Sequence, residues 1–299
     1  MSPASLSNNR ATGVHLFAFG RKGYAYAASN LIVSLRHYGW KGYIGLHVSQ
    51  DIRKFVSVEA DAQCDVIILP DVAYMRQGKV DPGWFKCNMA QWMPKGDNVY
   101  LDVDAVCVAD ITKVVDTLTR DGRNYITGLI AKGGEKDEIR YYEWASKEQV
   151  KQKHGLSEDA TYYALQTSWA FLRTDTQDTF FDRVAQAHDL WDVSELKQKW
   201  GGCLPDELIY SAVCSERGYD PSVPFAPVFF GDEKIKMDAV KERHQLLSLY
   251  GQGRGKTAVP RQYIHAYDNE LYNIQRSCGR LHQLKSPFIL RDKWVNFTR

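Results

Sequence analysis

The sequence predicts an α/β fold, a mixed and mostly parallel sheet flanked by helices and followed by a C-terminal elaboration. Three observations carry this. From Val14 to Val108 short apolar runs alternate with helix-patterned segments. Glycine or proline marks many of the joints between them. The apolar runs are near-continuous rather than alternating, as in strands covered on both faces.

Val14 to Phe19 reads as the first strand, Gly20-Arg21-Lys22-Gly23 as a turn, and Tyr24 to about Tyr38 as a helix. Gly42 to Val48 is expected as the second strand, Asp51 to Glu59 as a helix, and Cys64 to Leu69 as a third strand stopped by Pro70. A helix through Trp84 to Trp92 then leads into an apolar strand, Asn98 to Val108. Beyond it, Tyr125 to Ile130 and Ser168 to Leu172 read as strands, with a charged insertion from Glu135 to Gly155 between them. Asp175 to about Trp191 and Asp206 to Arg217 are expected helices, the second entered through the turn Trp200-Gly-Gly-Cys-Leu-Pro205. Pro221 to Pro227 and Gly251 to Gly255 are loop signals, and Tyr263 to Tyr267 is an extended segment.

The chemistry concentrates in Asp102-Val-Asp104, inside the apolar run Asn98 to Val108. Strand alternation sends residues i and i+2 to one side, so both carboxylates can meet a hard divalent cation with positions left for phosphate oxygens. The strand's carboxyl end is also where open α/β sheets place ligands. Lys86, on the helix before this strand, is either a surface lysine or a cation aimed at a ligand's phosphates. Asp206 and Glu207 open a helix, where acids suit the dipole and can also clamp a substrate. His265, among aromatics, is a core histidine unless the acid pair draws it in. Two carboxylates and one imidazole are a reasonable Mn²⁺ shell. Gly20 to Gly23 lacks the full dinucleotide fingerprint.

Composition narrows the setting. The chain has 299 residues, with 38 Lys and Arg against 36 Asp and Glu, so net charge neither demands nor excludes an anionic partner. The basic residues gather from Lys234 to Arg299, with Tyr263, Tyr267, Tyr272, Phe288, Trp294 and Phe297 among them, a composition suited to a nucleic-acid backbone and stacked bases or simply to a solvated tail. Six scattered cysteines without a CxxC pair read as reduced thiols. No apolar window is long enough for a membrane span and the opening residues are polar, so a cytoplasmic protein without membrane insertion is expected.

In order along the chain, these pieces resemble the GT-A glycosyltransferases, in particular the retaining branch of glycogenin and bacterial lipopolysaccharide galactosyltransferases. Trp84 to Pro94 followed by Val99-Tyr-Leu-Asp-Val-Asp-Ala105 resembles that family's cation-bearing helix and DxD strand. The resemblance implies a nucleotide-sugar donor, a UDP-sugar by preference, held by Lys86, Asp102, Asp104 and Ser168. It further implies Mn²⁺ or Mg²⁺ on Asp102, Asp104 and His265. Thr167-Ser168-Trp169-Ala-Phe-Leu-Arg173 resembles the strand beneath the sugar, with Trp169 in place of a small glycine. Pro205-Asp206-Glu207-Leu-Ile-Tyr-Ser211 resembles the segment facing the transferred sugar, with Glu207 where glutamine is usual, so Asp206 and Glu207 are the implied catalytic pair. Ile264-His265-Ala-Tyr267 resembles the late histidine segment without its usual continuation.

The implied organisation is a catalytic domain over 13–230, with a donor half at about 13–110 and an acceptor half at about 111–230. Residues 231–299 form a basic elaboration supplying His265. The implied activity is hexosyl or pentosyl transfer to a hydroxyl acceptor, either a glycan or lipopolysaccharide precursor or a hydroxymethylated DNA base. Two alternatives remain at this stage. Asp102-Val-Asp104-Ala-Val106 also fits the spelling of haloacid-dehalogenase-type phosphatases, with Asp102 as nucleophile. A non-catalytic nucleotide-sugar-binding protein would keep the same residues without turnover.

Overall fold

The computed structural model of the protein describes residues 12–121, 123–126, 129–133, 144–165, 167–174, 179–196, 202–221, 228–229 and 246–248. In chain order the first strands are β1 (Gly13–Ala18), β2 (Tyr43–Ser49), β3 (Asp65–Leu69), β4 (Met75–Arg76), β5 (Lys79–Val80), β6 (Asp97–Leu101) and β7 (Ala105–Cys107). They are followed by β8 (Tyr125–Ile126), β9 (Leu129–Gly133), β10 (Tyr162–Leu165), β11 (Trp169–Arg173), β12 (Val228–Phe229) and β13 (Leu246–Ser248). The helices are α1 (Lys22–His37), α2 (Val58–Asp61), α3 (Pro82–Asn88), α4 (Thr112–Asp121), α5 (Lys147–His154), α6 (Phe180–His188) and α7 (Asp206–Arg217). The chain divides into two compact units, each built from separated stretches of sequence.

The first unit draws on residues 11–69, 99–122 and 225–299. Its sheet runs β3-β2-β1-β6, with β2 parallel to both β1 and β3. Every residue of β1 is buried, which is why its sequence is apolar without alternation. Helix α1 packs on β1, β2 and β7, burying Ala25, Ala28, Leu31, Ile32 and Leu35. A second sheet, β12-β13-β7, pairs Leu246 with Cys107 and Ser248 with Ala105.

The second unit draws on residues 70–98 and 123–224. It holds the antiparallel pairs β4/β5, β9/β10 and β8/β11, with α3, α6 and α7 packed on one another and α7 against β10. Fully buried Phe180, Phe85 and Tyr210 fill the space among these helices.

Most elements fall where the sequence places them, and the differences have local causes. The expected strand from Asn98 to Val108 is two strands: β6 ends at Leu101, Asp102 to Asp104 turn, and β7 joins another sheet. Two adjacent carboxylates resist burial in a strand, and both are only half-buried in this turn. The strand-alternation argument for Asp102 and Asp104 therefore does not apply. The helix expected over 51–59 is a 3₁₀ turn at Arg53–Phe55 and the one-turn α2, capped by Ser57 accepting from the Ala60 N–H. The charged insertion contains α5, started by a Ser146/Gln149 capping box and stopped by Gly155 at φ 62°. Cys64, Cys87, Cys107, Cys203 and Cys214 are thiols, three of them buried. The segments around Gly251, His265 and Cys278 lie outside the described residues. Among the described residues no helix is long and apolar enough to cross a membrane.

Candidate active site

Within the second unit, residues from three separated segments meet. Helix α3 supplies Lys86, the stretch before β11 supplies Thr167, and the first turn of α7 supplies Asp206, with Ser168 and Glu207 the next residues along the chain. The Lys86 ammonium lies 3.5 Å from Asp206 Oδ2 and 3.4 Å from the Thr167 carbonyl oxygen. The Thr167 hydroxyl donates to Asp206 Oδ2. Only 15% of the Lys86 side chain and 5% of the Asp206 side chain is exposed, so this is a nearly buried ion pair.

Local sequence fixes this geometry. Asp81 caps α3 by accepting from the Trp84 N–H at 2.9 Å, and Pro82 sits in the first turn where its missing N–H costs nothing. Gly83 lets the backbone of the α7 entry come close, since a Cβ there would lie 1.9 Å from the Leu204 carbonyl oxygen. Four residues after Asp206, on the same face of α7, Tyr210 donates to the Lys86 carbonyl at 2.9 Å. One face of α7 thus holds Lys86 by its ammonium and by its backbone. The Leu165 N–H donates to Ser211 Oγ at 3.3 Å, tying the end of β10 to α7 two residues before Thr167.

The electrostatics follow from burial. Burial pushes the Tyr210 phenol well up, with Cys87 and the negative charge of Asp206 adding to it. The Cys87 thiol is likewise raised by burial first and Asp206 second, so it is not a nucleophile. Ser168 Oγ is buried without a hydrogen-bond partner among the described residues. An orphaned buried hydroxyl fits a site awaiting a polar ligand. Glu207 is half-buried as the second residue of α7. Trp169 is buried at the start of β11, 2% exposed.

In the first unit, Asp102 and Asp104 flank Val103 in the turn after β6, and the Tyr100 hydroxyl donates to Asp102 Oδ1. Two half-buried carboxylates at a strand's carboxyl end, one already oriented, are oxygen donors that fit Mn²⁺ or Mg²⁺. Among the described residues no group of three or more His, Cys, Asp or Glu is arranged to hold a metal. The expected third ligand, His265, lies outside the described residues.

Thr167 and Tyr210 are the residues that sequence reasoning missed as parts of the site. Thr167 stands beside Ser168 in the segment already singled out, and Tyr210 stands one turn after Asp206. Both lie inside the segments that carry the family resemblance, 167–173 and 205–211, without a role of their own there.

No protein-family description and no curated protein matches the chain. Solved structures do. The galactosyltransferase LgtC in complex with donor and acceptor sugar analogues superposes with a TM-score of 0.54 at 13% identity, covering 94% of this chain and 99% of that one. The WbbM bifunctional glycosyltransferase gives 0.51 at 13% identity, covering 92% of this chain and 53% of that one. GlyE of Streptococcus pneumoniae TIGR4, a glycosyltransferase in its apo form, gives 0.51 at 11% identity, covering 93% of this chain and 66% of that one. This α/β chain has the GT-A fold of these glycosyltransferases.

Proposed function

We propose that this chain is a glycosyltransferase that moves a hexosyl or pentosyl unit from a nucleotide-sugar, a UDP-sugar by preference, to a hydroxyl acceptor. The observation that carries this reading is the meeting of Lys86, Thr167 and Asp206 in one unit of a GT-A fold. Lys86 and Asp206 are residues the sequence resemblance assigns to the donor and the sugar. A galactosyltransferase of the same fold is known with donor and acceptor sugar analogues, which supports a sugar acceptor here.

Asp102 and Asp104 are the residues that would hold Mn²⁺ or Mg²⁺, with His265 as a further ligand. The bound ion would neutralise charge on the departing diphosphate. Tyr100 orients Asp102 for that task. Lys86 keeps Asp206 compensated before donor arrives, and the Asp206 carboxylate stabilises positive charge developing at the anomeric carbon. Ser168 Oγ donates to or accepts from a sugar hydroxyl. Glu207 lies next to Asp206 and orients the sugar or acceptor. The phosphatase alternative is disfavoured because Asp102 follows β6, after an extensive α/β unit, rather than the first core strand.

The test is release of nucleoside diphosphate from a panel of nucleotide-sugars with Mn²⁺, Mg²⁺ or EDTA. Simple glycans and hydroxymethylated DNA serve as acceptor arms. Release from one donor that EDTA abolishes is expected. Asp102→Ala and Asp206→Ala should each lower it about 100-fold or more, the scale of losing one stabilising group. Asp102→Ala with wild-type release would overturn the assignment.

A further inference from the structure

The glycosyl-transfer reading uses Asp206 and Lys86 but gives no work to the residue that touches both. Thr167 is 3% exposed and sits just before β11. Its hydroxyl donates to Asp206 Oδ2, and the same oxygen lies 3.5 Å from Lys86 Nζ. Its main-chain carbonyl oxygen lies 3.4 Å from that ammonium. One threonine therefore contacts both charged groups, and with different atoms.

Three features make this more than a buried hydroxyl finding a partner. First, Lys86 alone would orient Asp206 poorly. Its contact is long at 3.5 Å, and an ammonium on a four-carbon stem behaves as a point charge with no preferred direction. The threonine hydroxyl is the directional contact, carried on a β-branched side chain with restricted χ1. Second, both contacts fall on Oδ2, and no contact among the described residues falls on Oδ1. Third, Leu165, two residues before Thr167, is tied to the helix carrying Asp206 by its N–H donating to Ser211 Oγ.

We propose that Thr167 is a positioning residue of the transfer reaction: it locks the Asp206 carboxylate so that Oδ1 faces the transferred sugar before the donor binds. This rests on the glycosyltransferase reading. The locked carboxylate costs no reorganisation as positive charge develops on the sugar, so losing the lock weakens the transition state and leaves donor binding in place. Thr167 does not itself touch the reacting atoms in this account.

Thr167→Val keeps the shape and the branch while removing the hydroxyl, and Thr167→Ser restores it. With a donor that wild type consumes, Thr167→Val should lower kcat about 10- to 100-fold, the cost of a small misplacement of a reacting group, with KM for donor within about twofold. Thr167→Ser should recover kcat to within about threefold of wild type. A Thr167→Val enzyme with unchanged kcat, or one whose only defect is a raised KM, overturns the proposal. A second readout stands apart from turnover: a double-mutant cycle of Thr167→Val and Asp206→Asn in urea denaturation. Non-additive effects are expected, and strict additivity overturns the contact on which the proposal stands. If wild type consumes no donor, the transfer reading fails. The cycle then still decides whether Thr167 holds Asp206.

Discussion

At the scale of single residues, the site is governed by how little water reaches the Lys86–Asp206 ion pair. Removing one partner of a nearly buried pair leaves an uncompensated charge, whereas replacing both with apolar groups removes the problem. Lys86→Met should therefore destabilise the protein by about 3 kcal/mol in urea denaturation. Lys86→Met combined with Asp206→Leu should recover most of that loss. The cation and the acid were each legible in the sequence, Lys86 from its helix and Asp206 from its place at a helix start. Their pairing was not, and neither was Thr167, because a hydroxyl in an apolar stretch has no pattern that distinguishes bonding a carboxylate from bonding backbone. The Asp102/Asp104 pair was legible by spelling, but its setting was misread. The apolar flanks suggested a strand where the chain turns.

At the scale of elements, α3 and α7 set the site, and Gly83 decides how closely the α7 entry approaches α3. A methyl group at Gly83 would sit 1.9 Å from the Leu204 carbonyl oxygen, a backbone atom that cannot swing aside. Gly83→Ala is thus an overpacking change, expected to cost about 1–3 kcal/mol and to lower donor turnover by displacing Lys86 from Asp206. Thermal unfolding and the diphosphate-release assay check the two effects separately. Helix α7 was the most legible element, expected and observed over Asp206 to Arg217, because acids open it and Gly218 at φ 59° closes it. The helix expected over 51–59 was less legible, since Ser57 caps a new helix in its middle and splits it. A capping residue inside a helical pattern looks like an ordinary surface serine until its hydrogen bond is seen.

At the scale of the whole molecule, the parallel strands carry a buried polar pair that links stability to pH. His15 on β1 and His47 on β2 are joined through Nδ1 and Nε2 at 3.0 Å, with Phe17 stacked on His47 at 4.3 Å. Burial, helped by His15, lowers the His47 pKa from 6.5 to about 3. Above pH 6.5 both folded and unfolded chains hold this imidazole neutral, and its contribution to stability is complete. Below pH 6.5 the unfolded chain takes up a proton that the fold refuses. Stability then falls by about 1.4 kcal/mol per pH unit until the folded pKa is reached. His154 and His188, also lowered first by burial, act in the same direction. Denaturant unfolding from pH 7 to pH 4 should show His47→Gln with a shallower decline than wild type by about one proton. Equal slopes would contradict the neutral buried histidine.

The sequence by itself determined where strands and helices alternate, where α7 begins and ends, and which acids and cations deserved attention. These are properties of local burial period, capping and turn chemistry, written in residues close along the chain. Only the tertiary structure decided that residues 70–98 join residues 123–224 in one compact unit and that Asp102 and Asp104 sit in a turn between two sheets. It alone decided, too, that Lys86 meets Thr167 across 81 residues and Thr167 meets Asp206 across 39. Such meetings depend on how apolar faces pack over long loops of chain, and one sequence records the faces but not their partners.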